Sequence, residues 1–178
     1  MNYARELIVA PGRKVKLKDV DPGFHGKHES SEAAAPEIAA HLEKLGRLQY
    51  TLYAERAHSL LIVLQGIDAA GKDGVCRHVI GAMNPQGCAV TGFKQPTAEE
   101  RGHDFLWRVH RHAPELGQVA IFNRSHYEDV LVVRVHDLAP RETWSLRYDH
   151  INAFETLLAD SGTTILKFFL WISKEEQL

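Results

Sequence analysis

SLLIVLQGIDAAGKDG, residues 59–74, is a short apolar run that breaks into a glycine-rich turn. Its first seven residues are nearly all apolar, the mark of a strand buried on both faces of a parallel sheet. The segment Gly66-Ile67-Asp68-Ala69-Ala70-Gly71-Lys72 fits GxxxxGK. A strand before it and a helix after it are the context in which this pattern works. Glycines let backbone N–H groups curl around phosphate oxygens, the helix N-terminus adds partial positive charge, and the lysine neutralises a phosphoryl oxygen. One letter departs from the usual spelling: Asp73 stands where Ser or Thr normally follows the lysine.

Working outward, strands and helices alternate. Ile38, Leu42, Leu45, Leu48 and Leu52 recur at helical spacing, with Pro36 suited to a first turn. A helix is expected from Lys72 to about Met83, ended by NPQG (84–87), and CAVTGF (88–93) reads as the next strand. Thr97 and Glu100 spell a capping box opening a helix to about His112. QVAIFN (118–123) is a strand leading into a helix over 125–135, and a longer helix covers about 141–160, closed by Ser161-Gly162. TTILKFFLWIS (163–173) is a last strand, after which Ser173 and Glu176 spell a second capping box. The alternation predicts an α/β fold with a parallel sheet flanked by helices. Residues 1–35 read as an extended basic arm and 36–178 as one core domain.

Composition narrows the class. A chain of 178 residues, 44% hydrophobic and 25% charged, suits one globular domain. No apolar run is long enough for a membrane span, and MNYARELIVAPGRK lacks the core of a signal peptide. Cys76 and Cys88 show neither disulfide nor metal-ligand spacing. These features predict a cytoplasmic protein without a membrane partner. The net charge of -2 offers no general attraction to polyanions. Basic residues nevertheless cluster in RKVKLK (13–18) and recur as arginines through the middle of the chain. The two histidines of HRH (110–112) project in different directions on a helix, with no third ligand at metal spacing.

Carboxylates beside a phosphate cradle repel the ligand unless a cation intervenes, and Mg²⁺ takes carboxylate oxygens while bridging phosphates. Asp68, inside the loop, is therefore read as metal-linked or acceptor-positioning. Asp73, in the first helical turn, is read as an acid favoured by the helix dipole rather than as a metal ligand. A second constellation, Asn123-Arg124-Ser125-His126-Tyr127-Glu128-Asp129, closes the strand VAIFN. Carboxyl ends of parallel strands face the ligand crevice, so it should lie beside the loop. Arg124 suits a transferring phosphoryl group, and Glu128 would return the carboxylate that Asn123 lacks.

With both constellations in place, the sequence resembles the family-2 polyphosphate kinases. QGIDAAGKDG (65–74), NPQGCAVTGFKQPTAEE (84–100), HDFLWR (103–108), IFNRSHYEDVLVVRVH (121–136) and INAFETLLADSGTTILKFFLWISKEEQ (151–177) carry the likeness, with VKLKDVDP (15–22) a weaker match. The resemblance implies a P-loop kinase fold of thymidylate-kinase architecture. It also implies phosphoryl transfer between inorganic polyphosphate and a nucleotide, with Mg²⁺ as cofactor and AMP or ADP as acceptor. By the same resemblance Asp68, Lys72, Asn123, Arg124 and Glu128 are the catalytic positions, with Asp68 and Glu128 at the metal. Gly66, Ala69, Ala70, Gly71, Asp73 and Gly74 would hold phosphates, and Lys94, Arg108 and Arg134 would border the nucleotide or the polymer.

The Asn-Arg form of the second motif is similar to class III members, which phosphorylate both mono- and diphosphates. A homo-oligomer is expected, with no nucleic-acid partner. In the family the ISKEEQ segment continues into a helical lid with further arginines, so a core cut short before lid and C-terminal part is also expected. Two alternatives share these residues: an ATP-dependent nucleotide kinase of the thymidylate kinase type, and a non-catalytic polyanion-binding module that keeps the loop.

Overall fold

The computed structural model describes residues 2–177. Its elements run α1 (Tyr3–Leu7), α2 (Ser31–Glu55), β1 (Ser59–Gly66), α3 (Lys72–His78), β2 (Cys88–Gly92), α4 (Trp107–His110), β3 (Val119–Asn123), α5 (Glu128–Val135), α6 (Arg141–Asp160) and β4 (Thr163–Leu170). The four strands form one sheet in the order β2-β3-β1-β4, and every pair is parallel. Among the described residues no helix is long and apolar enough to cross a membrane.

Successive strand residues point to opposite faces, so the apolar run of β1 feeds two cores. Leu61 and Val63 join Ala120, Phe122, Val130, Ile151 and Phe154 on the face covered by α5 and α6. Ile62 and Leu64 join Val119, Ile121, Ile80 and Met83 on the other, with Leu45 and Leu52 of α2 against them. This double burial is what the unbroken apolar run announces. The register Ile62↔Ile121 and Leu64↔Asn123 sets the ends of β1 and β3 side by side.

Four helices differ from their sequence expectation; α5, expected from Ser125, begins at Glu128. α2 begins at Ser31, not Pro36, because Ser30 caps it by accepting from the Ala33 N–H at 3.2 Å. Pro36 is thus an interior residue, and its missing N–H leaves the exposed Glu32 carbonyl to water. α3 stops at His78 and continues as a 3₁₀ turn over Ile80–Ala82. That tighter winding, in which residues three apart eclipse, brings both Ile80 and Met83 onto the core. The expected helix over 97–112 is two short pieces, a 3₁₀ turn Glu100–Gly102 and the four-residue α4. The capping box itself forms: Thr97 N–H donates to Glu100 Oε2 at 2.7 Å and Glu100 N–H to Thr97 Oγ1 at 3.2 Å. Gly102 and an extended His103 then stop the helix, and Asp104 restarts the chain by accepting from Leu106 N–H at 3.0 Å. The second box also makes its bond, Glu176 N–H to Ser173 Oγ at 3.2 Å, in a turn.

Candidate active site

Gly66 ends β1 opposite Leu170 of the neighbouring strand β4. A Cβ there would lie 2.6 Å from the Leu170 carbonyl oxygen, so no side chain fits. The turn that follows puts Ala69 at φ 64° and Gly71 at φ 87°, and Gly71 is the N-cap of α3. Lys72 folds back over this turn, its Nζ donating to the Gly66 and Ile67 carbonyls at 2.9 and 2.8 Å. Only 8% of Lys72 is exposed. Burial first, and then the positive charge of Arg124, lower its pKa below the ordinary lysine value, against the pull of Asp68, Glu128 and Asp73. Two cations held near each other in a partly dry spot are relieved by an anion placed between them.

Arg124 follows β3 at φ 62°, its N–H bonded to the Leu64 carbonyl at 3.1 Å. The strained backbone turns its guanidinium toward the loop, where Nη2 pairs with Asp68 Oδ1. Nη1 stands 3.8 Å from Glu128 Oε2. Asp68 and Glu128 are therefore brought together through one guanidinium, one from the loop and one from α5. Asn123 Nδ2 donates to Asp73 Oδ1 at 2.6 Å. Asp73 does lie in the first turn of α3, as expected of a helix-start acid. Its carboxylate additionally clips that turn to the end of β3.

These groups surround a cavity of about 520 Å³ at the carboxyl ends of β1, β2 and β3. Asp68, Ala69, Ala70, Gly71, Lys72, Asp73, Lys94, Asn123 and Arg124 line it, together with Gly92 and Phe93, which sequence reasoning did not single out. The remaining expected residues stand apart from its wall. Gly66 and Gly74 lie at the root of the loop and within α3, and Glu128 reaches the cavity by way of Arg124. Arg108 is buried, and Arg134 is exposed on α5 with its guanidinium 5.2 Å from the Trp144 ring centroid. Two other concavities lie beside Tyr3 and Glu37 and between α4 and α6, and neither is lined by any expected site residue.

A supporting layer holds the second motif from behind. Ser125 Oγ accepts from Gln65 Nε2 at 3.0 Å and from Tyr127 N–H at 3.2 Å. Fully buried His126 meets Glu155 Oε1 through Nε2 at 3.3 Å, and the Tyr127 hydroxyl donates to the same oxygen at 2.7 Å. Lys167 Nζ completes the group at 2.7 Å from Glu155 Oε2 and 3.1 Å from the Tyr127 hydroxyl. Burial would raise the Glu155 pKa, but the bonds from His126, Lys167 and Tyr127 outweigh it and hold it at about 2. Burial and the bond to Glu155 push Tyr127 up to about 12. One signal for this layer was visible in the sequence: Lys167 interrupts the apolar strand TTILKFFL.

Among the described residues no three His, Cys, Asp or Glu side chains gather as a metal cage. The hard oxygens present, Asp68, Asp73 and Asn123 on the cavity wall and Glu128 beside Arg124, fit a cation that takes one or two carboxylates and fills its shell with water and phosphate oxygens. The arrangement as a whole, a backbone cradle with a lysine and an arginine facing one cavity, is suited to holding a phosphoryl group in a fixed direction.

Comparison with known proteins places this geometry. Residues 28–178 match the family model described as polyphosphate kinase 2. The chain is 52% identical over 174 residues to an AMP/ADP-polyphosphate phosphotransferase of Meiothermus ruber, covering 97% of this chain and 65% of that protein. It is 44% identical to an ADP-polyphosphate phosphotransferase of Rhodopseudomonas palustris, covering 97% of this chain and 64% of that protein. A crystal structure of polyphosphate kinase 2 from Arthrobacter aurescens TC1 superposes with a TM-score of 0.91 at 45% identity, over 98% of this chain and 62% of that one. The chain thus spans just under two-thirds of the length of these relatives.

Proposed function

The chain belongs to the polyphosphate kinase 2 family, and on that premise we propose that it transfers a phosphoryl group from inorganic polyphosphate to AMP or ADP, reversibly and with Mg²⁺. The observation that carries the proposal is the convergence of Lys72, at the start of α3, and Arg124, just after β3, on one cavity. The relative at 52% identity is named for both AMP and ADP, which favours acceptance of both here. The same reading takes the enzyme to be cytoplasmic and homo-oligomeric, acting on small phosphorylated molecules rather than on nucleic acid.

In the proposed reaction a terminal phosphate oxygen of the acceptor bonds to the end phosphorus of the polymer. The bridging P–O bond breaks, and its oxygen leaves on the shortened chain. The attacking oxygen is already ionised, so no strong general base is needed, and positioning with charge neutralisation does most of the work. Lys72 and the loop N–H groups hold the transferring phosphoryl oxygens, and Arg124 offsets charge as the bond to the leaving oxygen lengthens. Asp68 and Glu128 hold the Arg124 fork in place and would hold the metal. Bound Mg²⁺ would supply charge neutralisation between phosphates. Lys94, on the cavity wall, would meet a phosphate of donor or acceptor.

The donor is what separates this reading from a conventional nucleotide kinase. Incubating the whole protein with polyphosphate, Mg²⁺ and ADP, with no other phosphoryl donor, should produce ATP in a luciferase assay, and chelation should abolish it. ATP formation from ADP only when a nucleoside triphosphate is the donor would sink the polyphosphate reading.

A further inference from the structure

Arg108 lies in α4 and is only 5% exposed. A guanidinium keeps its charge in a protein, so burying one demands partners for that charge and for its N–H donors. Partners for the charge and for both Nη atoms come from three separate places, while the Nε donor is buried without one. Nη1 donates to the main-chain oxygen of Lys94 at 2.8 Å, and Nη2 donates to Asp129 Oδ2 at 3.1 Å. Glu100 Oε2, the same oxygen that caps Thr97, stands 3.8 Å from Nη1. The guanidinium also lies over the Phe93 ring, 5.5 Å from its centroid. Asp129 is gripped a second time, because Arg147 Nη1 donates to its main-chain oxygen at 2.7 Å.

Three of these partners adjoin the candidate site. Phe93 and Lys94 line the cavity, and Asp129 follows Glu128, which shares Arg124 with Asp68. We infer, resting on the phosphotransferase reading above, that Arg108 is a positioning residue which ties the main chain of Lys94 to the start of α5. The Lys94 ammonium and the Arg124 guanidinium are thereby kept in register across the cavity, without Arg108 touching a phosphate. Both Nη atoms are engaged, and its side chain is 6% exposed, which leaves it poorly placed for the direct contact expected from sequence. The link needs an arginine. A planar fork can reach a carbonyl and a carboxylate together in fixed directions, whereas an ammonium is a point charge on a flexible stem.

A double-mutant cycle on the whole protein tests this. Arg108→Lys should lower kcat/KM for ATP formation from polyphosphate and ADP by about 10-fold, since a small displacement of a binding group is costly. In a Lys94→Ala background the same change should cost less than about 3-fold, because positions acting through one another are not additive. Losses that multiply overturn the inference, as direct phosphate contact by Arg108 would give. Hydrogen–deuterium exchange is the second readout: Arg108→Lys should speed exchange over 93–102 while β1 stays protected. Unchanged exchange over 93–102 also overturns it. That measurement needs no turnover, so a wild-type protein that makes no ATP would refute the phosphotransferase reading while the exchange still decides the role of Arg108. If Arg108→Lys does not fold, Asp129→Asn keeps the shape, weakens the same anchor and meets the same two criteria.

Discussion

Lys72 shapes the loop and, in the proposed reaction, also holds phosphoryl oxygens. Its ammonium closes the turn by bonding two loop carbonyls, yet burial and the neighbouring Arg124 make the charged form less favourable than in an ordinary lysine. A group whose pKa is lowered loses its proton at a lower pH, so a reaction that needs the ammonium fails earlier on the alkaline side. The alkaline limb of kcat/KM, which reports the free enzyme, is therefore expected below the ordinary lysine pKa of 10.5. Lys72→Arg should move that limb upward or remove it, and a limb at or above 10.5 in the wild type would contradict the assignment. Asp73 was half legible from sequence. Its place in the first turn of α3 follows from the loop pattern, but its bond to Asn123 joins residues fifty positions apart, which only the parallel pairing of β1 and β3 brings together. The left-handed φ of Ala69 and Arg124 was not legible, because nothing in an alanine or an arginine announces it. Such a conformation costs on the order of 1–3 kcal/mol and persists where surrounding bonds impose it, as the Arg124 N–H bond to Leu64 does here.

At the scale of elements, continuous apolar runs and clear stop signals were read well: β1 and β3 stand within a residue of where the sequence placed them, β4 starts at Thr163 as expected but ends at Leu170 rather than Ser173, and α6 stops before Ser161-Gly162. Helix lengths failed where core geometry overrode local pattern, as at Ile80 and Met83, or where a glycine and an Asx turn interrupted a good N-terminal signal, as after Glu100. Capping chemistry decides where a helix starts but not how far it continues. The layer joining α5, α6 and β4 through Glu155 also carries a stability prediction. The Glu155 pKa is held at about 2 in the fold, below its ordinary 4.5. Its contribution is complete above about pH 4.5 and is lost as pH falls toward about 2. Glu155→Gln leaves Lys167 without its carboxylate and should destabilise the protein by about 2 kcal/mol near pH 7. Thermal scans should show a gap of roughly 4–8 °C between wild type and variant at neutral pH. That gap should close in acid, and one that persists unchanged at pH 3 would argue against this role.

Over the whole molecule, sheet order determines what the motifs can do. Placing β1 between β3 and β4 sets the glycine loop beside the Asn-Arg pair, and parallel pairing sends both to the same edge of the sheet. The position of the site was therefore readable from two motifs and the expectation of a parallel sheet. Its outer wall was not. Phe93 and Gly92 look like ordinary strand-end residues in sequence, and the burial of Arg108 depends on partners from three segments. The central claim is that Lys72 and Arg124 form a phosphoryl-transfer site rather than a passive polyanion cradle. The most direct test compares initial rates of ATP formation from polyphosphate and ADP for the whole protein and its Arg124→Ala variant, with melting temperatures measured alongside. The exposed ion pair of Arg124 with Asp68 adds little stability, so the variant should melt within a few degrees of wild type. Its rate should fall by at least about 10²-fold, as expected when a group that stabilises transition-state charge is removed. A folded Arg124→Ala variant retaining a rate within about 3-fold of wild type would contradict the account, since losses that small reflect charge alone rather than transition-state stabilisation.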